Sequence, residues 1–442
     1  MRKTVISYLF LFFMFKTSAA PLEVDVTEGK IEPLPVAITK FYSLSSKGEQ
    51  LSDNIFKVVV NNLNNSGLFK AIPNEAFLQS SKEVYLQPLF SDWKIIDANL
   101  ILSGKISLKD NVIEIEFKLW DVYKEKLLVS KKIANVPLNN WRITSHIISN
   151  IIYESVTNEK GYFDTKIVYI HEKIEKNRKK KRIAVMDYDG ENHTFLTAGK
   201  NLVLTPRFAP NGKEIVYLSY QNNKPSVYRI NLKTGRKQVI GNFQGMSFAP
   251  RFSPDGTSII FSLTEKGGSN IFLINLNSRE KNKLTFNKYI NTSPSFSPDG
   301  KQIVFSSDRA GKQNLYVKDI KNKNNPLRIS YGKGNYATPV WSPRGDYIAF
   351  TKSYKGSFFI GLIKSNGKDE RIVAKGYLTD SPTWSPNGRT LAYYKVIKNK
   401  DGKLESKLFS IDVTGNLEKE IITPGNASDP NWGPSLTFKK SK

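Results

Sequence analysis

The sequence predicts a two-domain protein, an N-terminal α/β domain followed by an all-β six-bladed propeller closed by the C-terminal strand. Three features carry that expectation. A ten-residue motif recurs five times at near-constant spacing, a truncated sixth copy lies near the end of the chain, and the first third of the chain lacks the period.

The motif reads FAPNGKEIVY from Phe208, FSPDGTSIIF from Phe252, FSPDGKQIVF from Phe296, WSPRGDYIAF from Trp341 and WSPNGRTLAY from Trp384. Its aromatic anchors stand 43 to 45 residues apart, and a four-stranded propeller blade takes about 40 to 45 residues. The aromatic ends one strand, Pro fixes φ for the turn, Asp or Asn usually follows, and Gly supplies the positive φ of a tight hairpin. Apolar residues then alternate at the strand period of two. A third strand recurs downstream, as in Ile271 to Asn275, and a short fourth finishes the blade, as in Lys283 to Thr285.

Three strands, Ile167–Ile170, Arg182–Asp187 and His193–Leu196, precede the first full motif without an aromatic-Pro-Gly strand of their own. Ser428 to Pro434 resembles the first half of the motif and stops before the hairpin. Pairing the two closes six blades into a ring and removes exposed sheet edges.

Residues 21–162 read as a mixed domain. Ser52 is expected to cap a helix running to Asn65, with Gly67 as its left-handed stop, and Ser91-Asp92 to begin a second. Leu100–Leu108, Val112–Tyr123 and Lys126–Val136 form an antiparallel meander whose middle strand turns Ile113, Ile115, Phe117 and Leu119 inward. A helix from Asn139 to Asn158 covers it. Asn158–Asp164 is expected to be a hinge into the propeller, residues 163–442.

The first 20 residues read as a secretory signal, with Arg2 and Lys3, an apolar run from Val5 to Phe15 and small residues Ser18-Ala19-Ala20 for cleavage. The run is shorter than the ~20 residues that cross a bilayer, and no other stretch qualifies. An exported mature chain with no membrane span is expected, monomeric on its own. The absence of cysteine removes disulfides, thiolate metal sites and cysteine nucleophiles. A net charge of +26 raises nucleic-acid binding as a possibility. The lysines are spread along the chain and no nucleic-acid motif occurs, so no nucleic-acid partner is expected. The run Lys173 to Arg182 reads as a solvated strand-connecting loop, with a site for anionic membrane or cell-wall polymers as the alternative.

Enzymatic chemistry is not expected. His146, His171 and His193 are the only histidines, and Gly245 to Ala249 falls one glycine short of G-x-S-x-G. The aspartates of the Ser-Pro-Asp-Gly turns repeat as turn residues, unlike a carboxylate pair placed across a substrate. No zinc or calcium spacing is present, so neither a metal nor a cofactor is expected.

The stretch from Asn62 to Phe69 (NLNNSGLF), Leu102 to Ile106 (LSGKI) and the P-x-[FW]-S-P-D-G repeats, all behind a signal segment, resemble the TolB family of the Tol-Pal cell-envelope system over nearly the whole mature chain. Asn62 stands where that family favours aspartate, and the lysine-rich stretch 173–182 departs from its short polar hairpin. The resemblance implies a periplasmic, non-enzymatic protein. It would bind the lipoprotein Pal through the propeller face and TolA through its N-terminus, among outer-membrane and peptidoglycan-associated proteins. Its role would be outer-membrane invagination during cell division and envelope integrity. An exported peptide- or glycan-binding sensor propeller is the alternative reading.

The residues just before each motif are expected to ring one mouth of the channel. They are Thr205-Pro206-Arg207, Met246-Ser247-Phe248-Ala249, Asn291-Thr292-Ser293, Tyr336-Ala337-Thr338, Thr379-Asp380-Ser381 and Ser428-Asp429. Most are small, hydroxylated or amide side chains, which let a partner approach closely and form hydrogen bonds. The resemblance places Pal contacts in the loops around Ala249 and Thr292. Near the expected mature N-terminus Leu22, Val24 and Val26 alternate with Glu23, Asp25 and Thr27, up to Glu28. A segment 21–30 so patterned can add as a strand to a partner's sheet edge, and Pro33 and Pro35 favour its detachment; the resemblance makes TolA that partner. A fixed strand of the α/β domain is the alternative.

Overall fold

The computed structural model describes residues 32–436 apart from 176–177, 222–223, 243–246, 266, 287 and 323. The expected signal segment and the segment 22–28 lie outside the described residues.

The N-terminal domain is a five-stranded sheet of β1 (Leu34–Ile38), β2 (Phe69–Ala71), β3 (Leu100–Lys109), β4 (Val112–Asp121) and β5 (Lys126–Pro137), in the order β2-β1-β3-β4-β5. The meander β3-β4-β5 matches the sequence reading. The parallel strands β1 and β2 do not figure in it, because five and three residues are too short to display a period. Four helices accompany the sheet: α1 (Ser46–Asn65), α2 (Ser81–Leu86), α3 (Phe90–Ile95) and α4 (Trp141–Thr157). The start of α1 is corrected: Ser45 is its N-cap, accepting a hydrogen bond from the Gly48 N–H, while Ser52 is buried within the helix. A capping box between Ser80 and Glu83 opens α2, a device that satisfies two free N–H groups at once. Ile113, Ile115, Phe117 and Leu119 of β4 are fully buried against apolar residues of α1 and α4.

The rest of the chain is a six-bladed propeller of four-stranded antiparallel sheets. The inner strands Leu202–Phe208, Ser247–Phe252, Asn291–Phe296, Asn335–Trp341, Leu378–Trp384 and Asn426–Trp432 each touch the next, and the last touches the first. Closure follows the sequence reading: Asn426–Trp432 pairs antiparallel with Lys166–Glu175, setting Trp432 opposite Ile167. The five uninterrupted blades precede this split one in ring order.

Two expectations are corrected here. The basic run is no loop, since its ladder continues to the pair Glu175 and Arg178. Glu172 pairs with Lys179 and with Lys181 at 2.8 Å, and Glu175 with Lys180 at 2.6 Å and Arg182 at 3.1 Å. Opposed cross-strand charges of this kind support a strand pair, so the run forms the outer end of a hairpin. The expected hinge is a buried joint. After the left-handed C-cap Asn158, Tyr162, Phe163 and Asp164 are enclosed. The Asn150 side chain receives the Phe163 N–H at 2.9 Å and donates to Asp164 at 2.8 Å, and the Trp432 indole donates to Thr165 at 2.7 Å.

Further contacts fasten the domains together. Glu159 pairs with Arg344 and Arg389, Arg142 with Asp187 and Asp189, and Lys419 donates to the Asn64 carbonyl. Arg344, Arg389, Asp187 and Asp189 all lie at or beside turns at the Ser-Pro end of the blades. The N-terminal domain and its connection therefore sit on the Ser-Pro face, over the fourth, fifth and split blades, and the mouth where inner strands begin lies on the opposite face.

A candidate partner-docking mouth of the propeller

Three residues precede a proline in every inner strand, and the proline ends a bulge. The triads are 203–205, 247–249, 291–293, 336–338, 379–381 and 427–429. The third member, Thr205, Ala249, Ser293, Thr338, Ser381 or Asp429, has φ between 45° and 59°. With its proline it opposes a single residue of the second strand, so the register shifts at that level in all six blades. A left-handed first member is the mark of the G1 type of bulge, where glycine is the common occupant, and a proline is tolerated there because the ladder needs no N–H from it. The side chains then meet across blades: Thr338 donates to Asp380 at 2.9 Å, and Ser381 donates to Asp429 at 3.2 Å.

The triads sort the expected site residues. Thr292, Ser293, Thr338 and Asp380 are partly exposed at the mouth, and Ala249 is largely buried at its bulge. Asn291, Tyr336 and Thr379 are corrected, being wholly enclosed between blades. Asn291 donates to the Ser269 carbonyl and accepts from Arg309, and the Tyr336 hydroxyl donates to Glu370 at 2.8 Å. They shape the wall and offer a partner no surface. Arg207 is also corrected, because it lies beyond the bulge in the cavity at the Ser-Pro end of the channel. Ser428 is buried and donates to Glu172 of the basic hairpin. Ser247 pairs by its backbone with Leu263, and Met246 lies outside the described residues.

Sequence reasoning missed Leu204, which shares the second triad position with Thr292, Ala337 and Asp380 and is partly exposed. Counting back in twos from each proline would have found it. It also missed a rim of exposed apolar side chains ahead of the inner strands, namely Tyr289, Ile290, Tyr331 and Tyr377, 45–69% exposed. Thr292 and Ser293 share a groove of about 680 Å³ with Thr264, Glu265, Ile290 and Asp308. Aromatic side chains around small polar ones are the composition of a protein-docking surface. Just inside the mouth, Asp380 accepts from Thr338, from Thr351 at 2.6 Å and from the Ser381 N–H at 2.5 Å. Burial pushes the Asp429 carboxyl upward from its ordinary value.

A second polar cluster lies at the domain joint. His146, Asp187 and Asp189 bring ligand-type atoms within 4.8 Å of one another. Both carboxylates are already matched by cations, Asp189 by Arg142 at 2.5 Å and Asp187 by Lys166 at 2.6 Å. Its chemistry is that of an ion-paired joint, because a metal would have to displace those cations.

Comparison with known proteins agrees with this arrangement. The profile of the TolB amino-terminal domain matches residues 22–128, and that of the TolB beta propeller domain matches residues 153–436. The chain is 45% identical to the Tol-Pal system protein TolB of Rickettsia rickettsii (strain Sheila Smith) over 98% of this chain and 99% of that one. It is 48% identical to the protein of that name from Paramagnetospirillum magneticum, over 52% of this chain and 51% of the relative. The crystal structure of TolB from Acinetobacter baumannii superposes with a TM-score of 0.82 at 26% identity, covering 91% of this chain and 97% of that one. The chain therefore belongs to the TolB family of Tol-Pal system proteins.

Proposed function

We propose that this Tol-Pal component works in the periplasm as a non-enzymatic partner-switching protein, binding Pal at the mouth where the inner strands begin and TolA through residues 22–28. The observation that carries the reading is the repeated bulge, which sets a ring of small and polar side chains at one mouth within a rim of exposed aromatics. Such a surface lets a partner come close without stranding charge. The mouth lies on the face opposite the N-terminal domain, so a partner bound there leaves that domain accessible to a second one. In the cell, the two contacts would link outer-membrane invagination at division to envelope integrity.

Binding of purified Pal and TolA domains to the full mature chain tests this. Thr292→Ile should weaken Pal by about 5- to 150-fold, the equivalent of ~1–3 kcal/mol of overpacking at a close contact, with an unchanged melting temperature. Ala249→Val is a less clean probe, since a β-branched side chain at its φ of 48° adds backbone strain. Deleting residues 22–28 should abolish TolA binding and leave Pal binding intact. A Thr292→Ile protein that melts normally and holds Pal at full strength places the site elsewhere.

A further inference from the structure

The opposite end of the channel carries a different chemistry. A cavity of about 250 Å³ opens among the Ser-Pro turns, lined by the residue between proline and aromatic in five of the inner strands, while Thr383 of the sixth accepts a hydrogen bond from the lining Asn431. In four blades that residue is Ser295, Val340, Thr383 or Asn431; in two neighbouring blades it is arginine, Arg207 and Arg251. Arg207 is 6% exposed, and among the described residues its one hydrogen bond goes to the Pro206 carbonyl at 2.8 Å. The Nε atoms of both arginines are enclosed without a partner, and among the described residues neither guanidinium forms an ion pair.

This arrangement is electrostatically unfavourable as it stands. Burial opposes the charge on each guanidinium, and Arg207 adds repulsion at Arg251. Arginine does not relieve such a conflict by losing its proton. Asp429 and Asp380 favour the charge on Arg207, but no carboxylate does so for Arg251. Asp380 is also held by Thr338 and Thr351. The other polar groups of the cavity are committed: Ser253 and Ser297 bond the aspartates of their own turns, and the Asn431 carbonyl oxygen accepts the Phe208 N–H at 2.7 Å. The charged donors left are the two guanidinium forks, whose geometry matches an oxyanion in bidentate fashion, and the Ser295 and Ser342 hydroxyls, which accept from the Trp341 and Arg344 N–H groups, line the same cavity.

We propose that this cavity is a binding site for a small oxyanion of phosphate type, held between Arg207 and Arg251. The site is independent of the docking mouth, from which the bulge layer separates it. An anion there neutralises one buried and one partly buried charge at once and ties neighbouring blades together.

The probe is inorganic phosphate, read by thermal unfolding of the full mature chain in a phosphate-free zwitterionic buffer, with chloride at matched ionic strength as control. Phosphate should raise the melting temperature saturably where chloride does not. Arg251→Gln and Arg207→Gln should each lose that response, and Arg251→Gln should melt above the parent when phosphate is absent, because an unpaired charge is gone. Calorimetric titration of the folded proteins with phosphate gives a readout independent of stability, with heat expected from the parent and none from Arg251→Gln. An Arg251→Gln protein that responds to phosphate as strongly as the parent overturns the assignment, and so does a parent that responds no more to phosphate than to chloride.

Discussion

Acidification from pH 6.5 towards pH 4 should loosen the joint between the two domains through one side chain, His146. The ring is 1% exposed, and the Asn62 amide nitrogen lies 3.0 Å from its Nδ1. With Asn62 also donating to Ser149 and accepting from the Tyr188 hydroxyl, Nδ1 serves as an acceptor, so the ring is neutral with its proton on Nε2. Burial, reinforced by Arg142, holds the folded pKa at about 4; Asp187 and Asp164 pull it upward and Lys166 downward. An unfolded histidine titrates near 6.5. Between the two values the unfolded chain binds a proton that the folded chain refuses, so stability falls as the pH drops through that window, by ~3 kcal/mol in full. Urea unfolding of the parent and of His146→Gln, at about pH 7 and about pH 4.5, isolates this contribution. Gln keeps an acceptor for Asn62 and does not titrate, and the difference between the proteins cancels the carboxylates they share. The parent should lose about 2–3 kcal/mol more than the variant. Equal losses in both would refute the reasoning.

Two further outcomes follow from the joint and the ring. Deleting the chain from Gly425 onward removes the inner strand of the split blade and bares the edge of Lys166–Glu175; unfolding or aggregation is expected, and a truncated protein melting at the parent's temperature would count against non-covalent closure. Glu159→Gln leaves Arg389, whose side chain is 8% exposed, without its carboxylate. Leaving such a charge buried should cost ~3 kcal/mol, measurable by denaturant unfolding, and a loss below about 1 kcal/mol would show that Arg389 finds water or another acceptor.

The propeller was legible because its constraints repeat. An aromatic, a proline and a glycine are needed at the same three places in each blade, and the truncated copy at Trp432 identified the closing strand. The bulge was also written in the chain, as a proline two residues before each aromatic, but its meaning depends on strand pairing that no single segment displays. For that reason Thr292 and Asp380 were found together with Asn291 and Thr379, which point into the wall. Arg207 was placed at the wrong mouth for a related cause: two residues along a strand separate the bulge from the far cavity. The basic hairpin was misread because positive charges usually mark solvated loops, and only Glu172 and Glu175, set across the ladder, turn the run into a strand pair. Asn158–Asp164 looked like a linker by its composition, while the aromatic cluster of Tyr162, Phe163, Tyr188 and Trp432 that encloses it is assembled from distant parts of the chain.

The closing strand also sets an order on how the protein comes into being. Asn426–Trp432 follows every other strand of the ring in the chain, and its tryptophan bonds to Thr165 across 267 residues. A growing chain can complete five blades one after another from local hairpins, which form quickly. The sixth stays without its inner strand until synthesis has passed residue 432. The same tryptophan packs on Tyr162 and Tyr188 at the domain joint, so the N-terminal domain, although made first, acquires its final seat last. Ring closure and domain docking are thereby a single late event, and a chain halted before that strand is left with an open sheet edge and an unseated domain together.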